Sequence, residues 1–232
     1  MKRPLFYGKM LLVIFLTRIY FLRHCEAEGN VQKIFQGTTD TDISPKGKKQ
    51  LEFLSKRFQN INIDKAYSSP LIRAKKTAFA AIEGKNMGVT ERPMLCELSG
   101  GIVEGKPFRE TFDAMPELRE VWDNRPQDFA PEGGESMRHA YERIWNETLS
   151  LARENQGKTI IASTHGGCLR LLHCRLFFHD IERLVEVPWS ENTAVTLVEF
   201  DNALTPTVVF FNDTSHLPEE LRSSFKTQEA EK

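Results

Sequence analysis

Phe21-Leu22-Arg23-His24-Cys25-Glu26, followed by Asn30 and then Phe35-Gln36-Gly37, is the stretch around which this 232-residue chain is organised. Residues 19 to 22 form a short apolar run, β-branched and aromatic, that reads as a buried strand. The run stops at an arginine and a histidine side by side. A strand end that delivers Arg-His into a polar, glycine-bearing loop suits phosphate chemistry: the guanidinium offers a fork of donors, the imidazole a nucleophile. Two such residues alone would fit a surface pair. The partners that the chemistry needs, however, stand at later strand ends: Arg73 in Ser68-Ser69-Pro70-Leu71-Ile72-Arg73-Ala74, Glu97 in Leu95-Cys96-Glu97-Leu98, and His165 in Ser163-Thr164-His165-Gly166-Gly167.

Taken together, RHCEAEGN…FQGTTDTDISPKG, SSPLIRAKKTA, CELSGGIVEGKP, PEGGES and STHGG stand in one order along the chain. In that order they resemble the histidine phosphatase superfamily, which includes the cofactor-dependent phosphoglycerate mutases. Arg-His by itself is a weak signal; the ordered set is a strong one. The resemblance spans Thr17 to Pro218 and implies an α/β fold, a three-layer α/β/α sandwich with a mixed, mostly parallel central sheet.

Composition sets ordinary bounds. Thirty-one basic and 32 acidic residues leave a net charge of −1, so nothing points to nucleic acid or to an anionic membrane surface. The four cysteines (Cys25, Cys96, Cys168, Cys174) show no CxxC, disulfide-like density or zinc spacing, which suits reduced thiols in a cytoplasmic protein. The even spread of apolar segments favours one domain over residues 17–222, with residues 1–16 as an N-terminal extension and 223–232 as a polar tail. Lys2, Arg3 and Lys9 precede an apolar run from Met10 to Leu16. Its seven residues fall short of the roughly 20 that a membrane-spanning helix needs. No small-residue cleavage site follows. A start placed too far upstream, with initiation at Met10 or Leu16, is the reading preferred over a membrane anchor.

Strand and helix then alternate. Ser44-Pro45 is an N-cap followed by proline at the first helical position, and Leu51, Leu54 and Phe58 recur at helical spacing, so 44–59 is an expected helix. A strand is expected at Asp64–Tyr67, a helix at 70–84, and a strand at Arg92–Leu95 that delivers Cys96-Glu97. Residues 98–133 read as an excursion over the site with short helices at Phe108–Ala114 and Glu117–Asn124. A long helix to Asn155, a strand at Thr159–Ser163, a helix at 168–178 and a hairpin around Asp201-Asn202 complete the pattern.

The resemblance assigns the chemistry. His24 attacks phosphorus through a ring nitrogen, giving a phosphohistidine that water cleaves; the imidazole must be neutral, which neighbouring arginines favour. The residues alone leave the two histidines interchangeable, and the family makes His24 the nucleophile. Arg23 and Arg73 clamp the transferring phosphoryl oxygens. His165 is a second phosphate ligand, a donor, and the amides of Gly166 and Gly167 add an anion-binding helix terminus. Glu97 gives a proton to the leaving oxygen and later takes one from water. Asn30, Gln36 and Gly37 match positions near the phosphate or the substrate's edge. No cofactor and no metal are expected, and His173 and His179 do not share a helix face. His139 and His216 receive no role; Trp122 and Phe129 are expected to wall a pocket.

Three positions depart from the family pattern. Cys25 replaces a glycine and would strain the loop if φ there were positive. Ala27 lacks a hydroxyl, and Gly29 replaces a tryptophan. The expected partner is a small phosphorylated metabolite, with no nucleic acid and no stable membrane association. Three functions remain: phosphomonoesterase, which the short Glu97-to-His165 connection and its lack of an adjacent arginine pair favour; mutase; and a non-catalytic phosphate-ligand binding protein.

Overall fold

A computed structural model of the chain describes residues 16–223. The expected extension lies outside the described residues apart from Leu16. The polar tail does so apart from Ser223. That serine is tied in: its hydroxyl donates to Asn192 Oδ1 at 2.8 Å.

One mixed six-stranded sheet forms the middle layer, in the order β3-β2-β4-β1-β5-β6. Strand β1 (Thr17–Arg23) lies at its centre. Ile19, Phe21 and Leu22 are fully buried because the strand has helices on both faces. Alternation then sorts its side chains. Ile19 and Phe21 join one core cluster with Ile144, Leu151 and Leu172, while Leu22 joins another with Leu54, Phe58 and Ile161. Truncating a residue such as Phe21 to alanine would cost about 3–5 kcal/mol.

Helices α1 (Glu28–Val31) and α2 (Pro45–Phe58) follow; the Ser44 hydroxyl caps α2 by accepting the Gly47 amide at 2.9 Å. Strand β2 (Lys65–Ser68), helix α3 (Ile72–Ala81) and strand β3 (Val89–Glu91) come next. The long excursion carries α4 (Phe108–Asp113) and α5 (Pro116–Asn124). Then come α6 (Met137–Glu154), β4 (Thr159–Thr164), α7 (Gly166–Phe178) and the hairpin β5 (Val195–Phe200) and β6 (Pro206–Asp213).

Several boundaries differ from those read in sequence. The strand expected at Arg92–Leu95 lies earlier, at Val89–Glu91, and Pro93–Leu95 is a 3₁₀ turn. Pro93 has no N–H to give to a ladder, so the strand ends before it. Helix α3 starts two residues past Pro70 because Leu71 is extended, and its first amide is taken by Asp40 Oδ1 at 2.8 Å from Ile72 N. It also stops short of 84, where Gly84 adopts φ +75°. Helix α7 begins at Gly166 rather than 168. Trp122 and Phe129, expected as pocket wall, lie in aromatic packing. They meet edge to face at 4.8 Å and pack with Phe35, Phe108 and Phe112 into an aromatic core beneath the excursion, with Phe129 fully buried.

The topology fixes where the site falls. Strands β2, β4 and β1 are parallel neighbours, with Ser68 opposite Ser163 and Arg23 opposite Thr164. Their carboxyl ends therefore release Ser69, His165 and His24 along one edge of the sheet. Open α/β sheets gather their ligands at that edge. Strand β5 runs antiparallel to β1, so the loop 190–194 arrives at the same edge. Among the described residues no helix is long and apolar enough to cross a membrane.

Candidate active site

The backbone of His24 is gripped from both sides. Its amide donates to Thr164 O at 3.0 Å, and its carbonyl accepts from Asn192 Nδ2 at 3.0 Å. The side chain is held by its own turn: Nδ1 lies 2.7 Å from Cys25 O. A carbonyl only accepts, so Nδ1 carries the proton and Nε2 keeps its lone pair. Burial lowers the imidazole well below its ordinary pKa, and Arg73 and Arg23 push it the same way. The ring is thus a neutral, oriented imidazole whose Nε2 is unprotonated.

Arg23, Arg73 and His165 join it. Arg73 and His165 are fully enclosed, and Arg23 is 6% exposed. Burial brings the Arg23 pKa down to about 10, with Glu97 opposing and Arg73 adding to the drop. Guanidiniums crowded out of water in this way favour a multiply charged anion between them. Arg23 also donates through Nη1 to the Ser190 carbonyl. The rings of His24 and His165 stand 5.2 Å apart between centroids.

Arg73 is itself anchored. Nη1 donates to Thr39 O at 2.7 Å, and Nη2 to Gln36 O and Gly37 O at 3.2 and 3.0 Å. Gln36 and Gly37 therefore meet the site through main-chain carbonyls that position an arginine. The Gln36 side-chain oxygen accepts from Thr41 Oγ1 at 2.7 Å. Asn30 Oδ1 accepts the Ala27 amide at 2.9 Å. Ala27, the first departure resolved, opens α1 without a side-chain cap.

Glu104 holds the other side of the same loop. Its Oε1 accepts Gly37 N and Thr39 N at 2.9 Å each and Thr39 Oγ1 at 2.6 Å, while Oε2 accepts Gly100 N at 2.6 Å. Loop 36–39 is therefore pinned between a guanidinium on its carbonyls and a carboxylate on its amides. Sequence reasoning quoted Glu104 within CELSGGIVEGKP and gave it no role. It likewise passed over Ser69, whose hydroxyl meets His165 Nε2 at 2.8 Å, and Asn192. In a single sequence nothing separates such loop-tying polar residues from ordinary surface ones.

Two amides at the start of α7 are engaged within the protein. Glu97 Oε2 accepts Gly167 N at 2.8 Å and Oε1 accepts Cys168 N at 3.2 Å, so the helix N-terminus faces a carboxylate of the protein itself. Both glycines make room for side chains. A Cβ at Gly166 would stand 3.2 Å from Arg23 Nε, and one at Gly167 would stand 2.6 Å from Glu97 Oε1. A cavity of about 630 Å³ opens beside Glu97, lined by Thr38, Cys96, Ser99, Ser136 and Arg143 among others.

Cys25 introduces no strain. It is not among the residues with positive φ, its amide donates to Thr77 Oγ1 at 2.9 Å, and burial pushes its thiol up to about 12. All four cysteines are free thiols. His173 is a buried core histidine with Nε2 2.9 Å from Thr196 Oγ1, and His139 meets Glu135 Oε1 at 2.6 Å.

Histidines and arginines thus converge at the carboxyl edge of the parallel strands in a three-layer α/β sandwich. A sequence model of the histidine phosphatase superfamily (branch 1) matches residues 19–214. The chain belongs to that superfamily. It is 27% identical over 207 residues to phosphoserine phosphatase 1 of Hydrogenobacter thermophilus, covering 88% of this chain and 96% of that one. It is 30% identical over 209 residues to phosphoglycerate mutase-like protein 4 of Arabidopsis thaliana, 88% of each chain. Among solved structures it resembles the Bacillus stearothermophilus protein YhfR, with a TM-score of 0.82 at 28% identity, over 86% of this chain and 98% of that one.

Proposed function

We propose that the protein is a phosphomonoesterase that hydrolyses a small phosphorylated metabolite through a phosphohistidine on His24. The observation that carries this reading is the hydrogen bond from His24 Nδ1 to the Cys25 carbonyl, which leaves Nε2 bare beside two buried guanidiniums. Nε2 forms a bond to phosphorus as the ester P–O bond breaks, and the leaving oxygen takes a proton from Glu97. Glu97 then accepts a proton from water, whose oxygen bonds to phosphorus as the N–P bond breaks. Phosphate leaves and the neutral imidazole returns. Arg23, Arg73 and His165 neutralise the transferring oxygens without a metal ion.

The phosphatase names of relatives such as the Hydrogenobacter protein support hydrolysis, while the Arabidopsis relative's name supports a mutase reading. Within the excursion, Arg119 pairs with Asp113 and Asp123, and Arg125 with Glu120. These cations are spent on surface carboxylates, which favours water over a held substrate as the acceptor. The test is phosphate release from a panel of phosphomonoesters by wild type and His24→Ala, with and without EDTA. Release that survives EDTA and is abolished by the substitution supports the reading. With 3-phosphoglycerate and a 2,3-bisphosphoglycerate primer, isomerisation much faster than phosphate release would make the protein a mutase. Binding of phosphate esters with no turnover of any would make it a binding protein.

A further inference from the structure

His165 poses a question of proton placement. It is fully buried, and burial together with Arg73, His24, Arg23 and Arg143 lowers its pKa well below the ordinary value. A neutral imidazole has one N–H, and only a ring nitrogen that bears it can donate to a phosphoryl oxygen. Nδ1 is enclosed and has no hydrogen-bond partner among the described residues. Nε2 lies 2.8 Å from Ser69 Oγ.

The surroundings of Ser69 settle which way that contact runs. Its Oγ accepts the Leu71 amide at 3.3 Å, and its single hydroxyl proton has two candidate acceptors: His165 Nε2 at 2.8 Å and Cys96 Sγ at 3.5 Å. A neutral thiol sulfur is a weak acceptor, and an imidazole nitrogen a good one. The hydroxyl therefore donates to Nε2, and the ring proton lies on Nδ1. The fold provides the pairing, since Ser69 is the first residue beyond β2 and its amide donates to Ser163 O at 2.9 Å, two residues before His165 on the neighbouring strand.

We propose that Ser69 is a positioning residue: its hydroxyl holds His165 as the Nδ1–H tautomer, so that a neutral imidazole donates a hydrogen bond to the phosphoryl group. The inference rests on the phosphoryl-transfer reading above, but its first test needs no turnover. Side-chain ¹H–¹⁵N spectra of histidine-labelled protein, with and without orthovanadate, report the tautomer directly. Wild type and Ser69→Thr should show His165 as a single Nδ1–H form; Ser69→Ala should show Nε2–H or a mixture. An Nε2–H form in wild type overturns the proposal, even if Ser69→Ala does not fold. So does an unchanged Nδ1–H form in Ser69→Ala.

Kinetics provide the second readout. Loss of one orienting hydrogen bond should lower kcat/KM of Ser69→Ala about 10- to 100-fold near neutrality, with Ser69→Thr restoring most of it. Arg23, Arg73, Arg143 and His24 act on the ring to keep it neutral, and all are retained in these variants. An undiminished kcat/KM in Ser69→Ala would overturn the proposal. Absence of turnover in wild type itself would instead sink the phosphatase reading and leave the tautomer result standing on its own.

Discussion

Glu97 and Gly167 are joined by a 2.8 Å hydrogen bond from the glycine amide to Oε2, which seats the proposed proton donor on the first turn of α7. Helix α7 thus fixes a carboxylate through its first amides. Glu97→Gln keeps the shape but cannot release a proton. For alkyl phosphates, kcat/KM should fall by about 10²–10⁴-fold, the usual worth of a positioned acid. p-Nitrophenyl phosphate, whose leaving group departs unprotonated, should lose far less. An equal loss for both substrates would reduce Glu97 to a structural cap, worth about 1 kcal/mol of stability.

Gly167→Ala separates activity from stability at the same contact. The added methyl would stand 2.6 Å from Glu97 Oε1 and 2.9 Å from Leu98 Cδ1, so the carboxylate must move. Alanine otherwise favours a helix over glycine by about 1 kcal/mol. Little or no fall in Tm is expected, together with a loss of about tenfold to a hundredfold in kcat/KM for alkyl phosphates, as follows from displacing a catalytic group by about 1 Å. Unaltered kinetics would show that the position of Glu97 is not critical.

Glu104 should matter through the loop it holds. Burial raises its pKa, yet the hydrogen bonds from Thr39 and Gly100 outweigh that and hold the carboxyl below the ordinary glutamate value. The unfolded carboxylate therefore binds its proton first as pH falls. The contribution of Glu104 is complete above about pH 5 and disappears as pH drops through its lower folded value. The Tm gap between wild type and Glu104→Gln should accordingly be widest near neutrality and shrink below about pH 4. Because Arg73 hangs on the same loop, KM should rise in the variant. A pH-independent gap would contradict this assignment.

The buried histidines give a slope of the same sign at a higher pH. Burial lowers His173 to about 4, so the unfolded chain takes up a proton near the usual 6.5 while the native state does not. The native state loses stability progressively between these values as pH falls, by about 3 kcal/mol for this residue. His24 and His165 shift in the same direction. Urea unfolding of His173→Gln across that window should show a shallower acid slope than wild type. Identical slopes would mean that His173 is already charged in the native state.

Much of this was legible in sequence because the strongest signals are local. The apolar run into Arg23-His24, the Ser44-Pro45 helix start and the turn after Ser68 all follow from neighbouring residues, and each stands where it was read. What was missed depends on contacts between distant segments. Gly166-Gly167 reads as an anion-binding terminus, and nothing local shows that Glu97, 70 residues away from Gly167, takes the Gly167 amide. Glu104 and Thr39 are 65 residues apart, and no periodicity in either segment announces the bond between them. Pro93 was a readable signal: a residue without an N–H argued against a strand running through it, and the strand does end before it.

The proposed hydrolysis requires a covalent bond between His24 Nε2 and phosphorus. Rapid-quench turnover of a ³²P-labelled phosphomonoester, followed by alkaline digestion and peptide mapping, looks for it directly. An acid-labile, alkali-stable label on the peptide containing His24 is expected in wild type. It should accumulate in Glu97→Gln, where the base for water is missing, and be absent from His24→Ala. Label on His165 instead, or full turnover with no labelled histidine in either wild type or Glu97→Gln, would contradict it.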